Sequence, residues 1–262
     1  MDILKRNNVN VIGDGEQVIL FAHGFGCSQN AWKRVAPAFT KDYKVVLFDY
    51  VGSGNSDIAA YDEKKYASLE GYATDIIEIC AELGIKEAVF VGHSVSCMIG
   101  ALASIKEPSI FKKLIFVAPS PYYLNEHGYE GGFEQEEIDT LFELMEEDYV
   151  RWAKLMSPQI MSNPENPELA KEMEDNFCKA DNEIVKQFAR ITFLSDNRKD
   201  LPIIPVESVT LQCTDDIIAP LFVGQYIKEH TPGNTLLHLK ATGHCPHMSA
   251  PQETIDVIKS LL

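Results

Sequence analysis

The sequence predicts a mostly parallel, doubly wound α/β sheet interrupted by a helical insertion. Three observations carry this expectation. Short apolar runs alternate with helix-patterned segments along most of the chain. The early runs are rich in Val, Ile, Leu and Phe without the period of two that marks a half-solvated strand, so helices must cover both faces of the sheet. One stretch, Tyr122 to Asp196, carries helical patterns alone. With 262 residues, 45% of them apolar, the chain is long enough for one large domain with a substantial core.

Taken in order, residues 3–12 read as an antiparallel edge strand. Gln17 to Ala22 and Lys44 to Phe48 are apolar runs of strand length, separated by a helix expected over Gln29 to Phe39. A longer helical segment, Leu69 to Leu83, leads to the β-branched run Ala88 to Val91. Small residues at helical spacing (Ser96, Gly100, Ala103) mark a helix over Val95 to Ile105, and Lys113 to Ala118 is the next strand. The insertion follows, punctuated by Pro158, Pro164 and Pro167. Ser208 to Cys213 and Thr235 to Leu239 resume the strands, with helices over Phe222 to His230 and from Gln252. The expected division is therefore a core over residues 1–121 and 197–262, with a helical cap over 122–196 at the carboxyl edge of the sheet, where open α/β folds bind ligands. Within the cap, Glu126 to Asp148 holds ten acids and no Lys or Arg, read as the solvated face of a helix.

Composition excludes several functions. The balance of 39 acidic against 23 basic residues, a formal charge of −16, argues against nucleic acid and anionic membranes. The apolar runs are too short to span a bilayer, and Met1 to Arg6 lacks the apolar stretch of a secretory signal. The six cysteines form no Cys-x-x-Cys pair, and Cys80, Cys97 and Cys213 lie in apolar helix or strand patterns, as reduced core thiols do. A cytoplasmic protein is expected.

The chemistry is concentrated in Gly92-His93-Ser94-Val95-Ser96. A serine between a strand and a helix, with small residues two before and two after, has the form of a nucleophile elbow, although the usual G-x-S-x-G here ends in Ser96. A serine hydroxyl needs a base, and the base an orienting acid. Of seven histidines, His93 adjoins Ser94 on a strand and is expected to point to the other face. His23, His127, His230 and His238 fall in a loop, the cap, a helix end and mid-strand. His244, in the loop after a strand, is the expected base, with His247 structural. Asp216, in Cys213-Thr214-Asp215-Asp216, is the expected acid, with Asp215 the alternative. The order Ser94, Asp216, His244 is that of the α/β-hydrolases. His23-Gly24-Phe25-Gly26, after the first core strand, supplies the remaining requirement, and the N–H groups of Phe25 and Val95 are assigned to an oxyanion hole.

A second glycine cluster, Gly52-Ser53-Gly54, lacks the further residues of a dinucleotide or phosphate loop. His244-x-x-His247 lacks the companion ligands of a zinc site. No cofactor and no metal are expected.

With these residues in place, Phe21 to Cys27, Phe48 to Gly54, Gly92 to Ser96, Gly131 to Glu134 and Gly243 to Ser249 resemble the RsbQ family of bacterial α/β-hydrolases over essentially the whole chain. The sequence is also similar to the plant karrikin and strigolactone receptors, which share the Gly-His-Ser-Val-Ser elbow. Where RsbQ proteins commonly read Ala-Pro-Gly-Phe-Gly, this chain has Ala22-His23-Gly24-Phe25-Gly26. The resemblance implies an α/β-hydrolase fold with a helical cap and a triad of Ser94, Asp216 and His244. It further implies a small hydrophobic ligand such as an ester or lactone, and a role in the general stress response through a PAS-domain serine/threonine phosphatase. The implied pocket is lined by Phe25, Tyr122, Phe133, Trp152, Met156, Phe193 and Ile218.

Overall fold

Seven strands form one sheet in the order β1-β3-β2-β4-β5-β6-β7 in the computed structural model, which describes residues 2–179 and 181–262. The strands are β1 (Asn10–Ile12), β2 (Gln17–Ala22), β3 (Tyr43–Leu47), β4 (Ala88–His93), β5 (Phe111–Val117), β6 (Ser208–Gln212) and β7 (Asn234–His238). Only β1 runs antiparallel, against β3; the remaining pairs are parallel. The mostly parallel sheet expected from the apolar runs is thus the observed one.

Alternate residues of the central strands feed two separate cores. Leu20, Val46, Phe90 and Phe116 pack against α2 (Leu69–Glu82), α3 (Val95–Lys106) and α8 (Leu221–His230). Phe21, Val45, Val91 and Val117 pack on the other face against Trp32, Phe39 and the terminal helix α10 (Pro251–Leu261). Burial on both faces is why these strands read as continuous apolar runs.

Two local expectations fail. Residues 3–12 are not one strand: Ile3–Arg6 forms a single helical turn, α1, capped by the Asp2 carboxylate on Lys5 N–H at 3.1 Å, and only Asn10–Ile12 pairs with the sheet. Gln29 to Phe39 is not one helix but two 3-10 turns, Gln29–Trp32 and Ala36–Phe39. Pro37 lacks an N–H and disfavours the α conformation at the residue before it, which breaks the continuous pattern.

The turn at α1 is anchored by charge. Arg6 is 4% exposed, with Nη2 3.0 Å from Asp75 Oδ1 and Nη1 2.6 Å from Glu78 Oε2. Lys65 Nζ lies 2.7 Å from the same Asp75 oxygen, and the Tyr66 hydroxyl donates to Asp75 Oδ2 at 2.9 Å. Asp75→Ala leaves a buried guanidinium without its main counter-charge, and we expect it to lower stability by about 3–5 kcal/mol. A urea midpoint unchanged at constant slope would refute this role.

Among the described residues, four α-helices lie between β5 and β6: α4 (Gln135–Glu147), α5 (Tyr149–Met161), α6 (Pro167–Lys179) and α7 (Asn182–Leu194). Pro158 does not end α5, which runs on to Met161. Their apolar faces form a third cluster around Trp152, Phe177 and Phe193 that extends down to Cys27, Ile218 and Met248 of the sheet layer. The acids of α4, including Glu136, Glu143 and Glu147, face outward, while Ile138, Leu141, Phe142 and Met145 face inward. At the helical segment's two ends, the Arg198 guanidinium stacks on Tyr122 and Tyr129 and pairs with Glu126 at 2.8 Å, joining entry to exit.

Candidate active site

Sheet order determines where a site can form. The chain leaves β2 towards β3 on one side, whereas β4 lies on the other, and Ala22 of β2 is in register with Gly92 of β4. The loops after β2 and β4 therefore start side by side and diverge, which opens a crevice at the carboxyl edge.

Ser94 stands at this point, with φ 56° and ψ −125°, a conformation that costs a non-glycine residue about 1–3 kcal/mol. Packing holds it there. Ser94 N–H donates to the Val117 carbonyl at 2.9 Å, and α3 starts immediately afterwards. A Cβ on Gly92 would stand 2.8 Å from the Ser96 carbonyl oxygen, so strand and helix can approach only with glycine there.

Two loops from distant strands meet the serine. His244 follows β7 and places Nε2 2.8 Å from Ser94 Oγ. Its Nδ1 lies 2.8 Å from Asp216 Oδ2, and Asp216 follows β6. The other oxygen of Asp216 accepts the N–H groups of Ile218 and Ala219 at 2.9 and 3.1 Å. A carboxylate can only accept, so the imidazole carries its proton on Nδ1 and Nε2 is left to accept from the serine. Asp215 is solvent-exposed, and its part in the loop is a backbone carbonyl that accepts Gly243 N–H at 2.9 Å.

The other histidines are placed differently. The His93 ring approaches the site, against expectation: its Nε2–H donates to the His244 carbonyl at 2.8 Å, bracing the backbone of that residue. Burial, with His247 and His244 nearby, holds its pKa well below the usual range. His247 is fully buried, 4.4 Å between ring centres from both Trp32 and His93, and burial lowers its pKa to about 3. A Cβ on Gly24 would meet His93 Nδ1 at 2.5 Å, so the loop after β2 lies directly on that ring. Val95 is the first residue of α3, where the backbone N–H has no intrahelical acceptor. Phe25, in the loop opposite, lines the same cavity.

The cavity above Ser94 has about 30 Å³ of free space. Phe25, Tyr123, Phe193, Ile218 and Cys245 line it from the sheet side and α7, and Ile160, Met173 and Phe177 from α5 and α6. Tyr123 and Thr192, both buried, bring hydroxyl groups that have no partner among the described residues.

Of the seven pocket residues read from sequence, Phe25, Phe193 and Ile218 line this cavity; the other four do not. Tyr122 hydrogen-bonds Glu126 at 3.2 Å and stacks on Arg198. Its neighbour Tyr123 faces inward instead, a one-residue phase that an irregular segment gives no period to read. Phe133 packs edge-on behind Phe193, and Trp152 is buried behind Phe25 and Phe177. Met156 is partly buried against the apolar cluster of the helical layer, and Ile160, one turn later on the same face of α5, reaches the cavity. Met173 and Phe177 were legible as an apolar stripe with Leu169 at a spacing of four, but nothing local says which neighbour such a stripe faces.

Among the described residues, no group of three or more His, Cys, Asp or Glu is arranged to hold a metal ion, and no helix is long and apolar enough to cross a membrane.

Comparison with known proteins agrees with this architecture. The karrikin insensitive 2 receptor CA of Petunia hybrida is 37% identical over 255 residues, 97% of this chain and 94% of the receptor. The strigolactone esterase D14 of Arabidopsis thaliana is 36% identical over 262 residues, covering 100% of this chain and 98% of that protein. The solved structure of a hydrolase from Oleispira antarctica superposes with a TM-score of 0.97 at 38% identity, covering 99% of this chain and 96% of that one. The family model described as alpha/beta hydrolase fold matches residues 17–251. On the sheet order, the match along the chain and these relatives, the protein belongs to the alpha/beta hydrolase family, with a protein named as a karrikin receptor and one named as a strigolactone esterase among its relatives.

Proposed function

We propose that this protein is a serine hydrolase of small apolar esters or lactones, and that it reports capture of its ligand to a protein partner. The observation that carries the first half is the unbroken relay Ser94 Oγ, His244, Asp216, with 2.8 Å at each link, beneath a small apolar cavity. Ser94 attacks the carbonyl carbon, and its proton passes to His244 Nε2. Asp216 stabilises the imidazolium that results. The N–H groups of Phe25 and Val95 receive the developing oxyanion. The proton then goes to the departing alcohol oxygen, and water, activated by the same imidazole, releases the acid from Ser94.

The cavity's size supports a small ligand and a moving cap. A space of about 30 Å³ holds little more than a water or two. An ester larger than this needs a wider cavity, and a displacement of α5, α6 and α7, which supply much of the lining, makes that room. Such movement reaches the base directly, because His244 N–H donates to the Ile160 carbonyl of α5 at 2.9 Å. Ligand capture that favours a displaced cap is the differential binding that a signalling role requires. Relatives named as receptors and as esterases support both halves together. The resemblance to RsbQ supports a PAS-domain serine/threonine phosphatase as the partner, in a cytoplasmic stress response.

Short p-nitrophenyl esters test the first half. We expect steady release of p-nitrophenol and a transient acyl mass on the wild-type chain; a protein that neither acylates nor turns over is no serine hydrolase. Charge reversal of the exposed acids Glu136 and Glu143 tests the second. We expect it to weaken binding to the phosphatase several-fold, more at low salt than at high. Unchanged affinity would return these acids to a purely solvated role.

A further inference from the structure

The loop that carries Phe25 contains a buried histidine that no step of the hydrolysis uses. His23 is 0% exposed, and both ring nitrogens are engaged. Nδ1 lies 2.9 Å from the Gly24 carbonyl oxygen, and Nε2 lies 3.2 Å from Tyr50 N. The carbonyl can only accept and the Tyr50 N–H can only donate. One protonation state satisfies both: a neutral ring with its proton on Nδ1. A second proton, on Nε2, would be driven against the Tyr50 N–H. Burial also pulls the ring's pKa down, against the attraction of Asp49.

The Gly24 carbonyl and the Phe25 N–H belong to one peptide unit. That unit is planar and trans, since the described residues contain no cis peptide, so its C=O and N–H point to opposite sides. The Gly24 oxygen is held by the His23 ring and, at a longer 3.3 Å, by the Cys27 N–H, and holding it there sets the direction of the Phe25 N–H. The preceding peptide is held as well. Ser96 Oγ–H donates to the His23 carbonyl, and the Tyr50 hydroxyl lies 2.9 Å from Ser96 Oγ. Because the serine's proton is committed to the carbonyl, the tyrosine donates to the serine. Ser96 stands on the first turn of α3, which begins with Val95. Both halves of the oxyanion hole are thus referred to a single helical turn.

We infer that His23 is the positioning residue of the oxyanion loop: its Nδ1–H orients the Gly24–Phe25 peptide so that the Phe25 N–H is ready for the transition-state oxygen, and Ser96 and Tyr50 hold His23 in place. The inference rests on the serine hydrolase reading. It also gives a role to Ser96, the residue at which the elbow departs from the general pattern: a glycine there has no hydroxyl to hold the loop.

Two amides separate the ring's functions. Asn at position 23 puts an N–H donor where Nδ1 stands, whereas Gln puts its amide where Nε2 stands and abandons the Gly24 carbonyl. For His23→Gln we expect kcat on p-nitrophenyl acetate to fall roughly thirtyfold with KM within about twofold, because a misaligned donor is felt in the transition state and not in ground-state binding. The rate at which a p-nitrophenyl phosphonate adds to Ser94, followed by intact mass, falls in parallel. His23→Asn recovers to within about threefold of wild type in both assays. Ser96→Ala, which keeps the ring but releases the His23 carbonyl, gives a smaller kcat loss of roughly fivefold at unchanged KM. Unfolding midpoints identify the folded fraction to which each rate is normalised. The inference is overturned if His23→Gln matches wild type, or if His23→Asn is no better than His23→Gln; should either fail to fold, Ser96→Ala at wild-type kcat overturns it alone. Failure of the underlying reading looks different, since the wild-type chain itself would then not react with the phosphonate.

Discussion

Ser94→Ala lowers kcat/KM on short p-nitrophenyl esters by at least about 10⁴-fold and leaves the fold intact. The magnitude follows from removing the atom to which bond formation, proton transfer and the covalent intermediate all refer; knocking out the serine alone costs about as much as losing the whole relay. The fold survives because Ser94 Oγ contributes a single hydrogen bond, to His244 Nε2. The strained backbone at position 94 is held by the Val117 carbonyl and by the start of α3, which alanine leaves in place. Residual rate above water is expected from the oxyanion donors and the cavity. The check is a stopped assay at several enzyme concentrations with circular dichroism on the same sample. Undiminished turnover in a folded variant would remove Ser94 from the mechanism.

Asp216→Asn comes second, with an expected fall in kcat of about 10⁴-fold and little change in KM. Here the hydrogen bonds predict the detail. Oδ1 of Asp216 accepts two backbone N–H groups, from Ile218 and Ala219. An asparagine at 216 must keep its carbonyl oxygen on those donors, which turns its NH₂ towards His244 Nδ1. That nitrogen must then accept, so the imidazole's proton moves to Nε2 and faces the Ser94 hydroxyl. A base with its proton on the wrong nitrogen cannot take another, although the site is barely disturbed in shape. Wild-type kcat in this variant would mean that Asp216 does not orient the base. Asp215→Asn is the matched control: its side chain is exposed and should leave the rate within about twofold, because the part it plays is its backbone carbonyl.

How far the sequence reaches depends on how local the information is. The core strands and the helices after β3, β4, β6 and β7 were legible to within a residue or two, because burial on both faces leaves runs such as Gln17–Ala22 and Ala88–His93 with a composition of their own. The N-terminal segment misled, since Ile3 and Val9 look like strand residues while the buried Arg6 makes the local conformation answer to Asp75, distant in sequence. Pro37 misled less, as its missing N–H is written in the sequence and needed only to be given more weight than the apolar pattern. The elbow was legible because a strand, a turn and a helix are covalent neighbours there. Pocket residues were not, for a helix stripe such as Leu169, Met173, Phe177 states that it will be buried without stating against what.

By itself, then, the sequence determined the class of fold, the serine at a strand-to-helix turn, and the chain order of serine, aspartate and histidine at three strand ends. Parallel strands do the rest of that step, since they bring all their carboxyl ends to one edge whatever their separation in sequence. Only the tertiary structure decided which nitrogen faces which oxygen, that Tyr123 and not Tyr122 turns inward, and that His23, Ser96 and Tyr50 close on one another around the loop of Phe25. The physical reason is one of range. Secondary structure follows periods of two and of 3.6 that are present in the chain itself, whereas a hydrogen bond is made or lost within a few tenths of an ångström, and that depends on how whole layers pack.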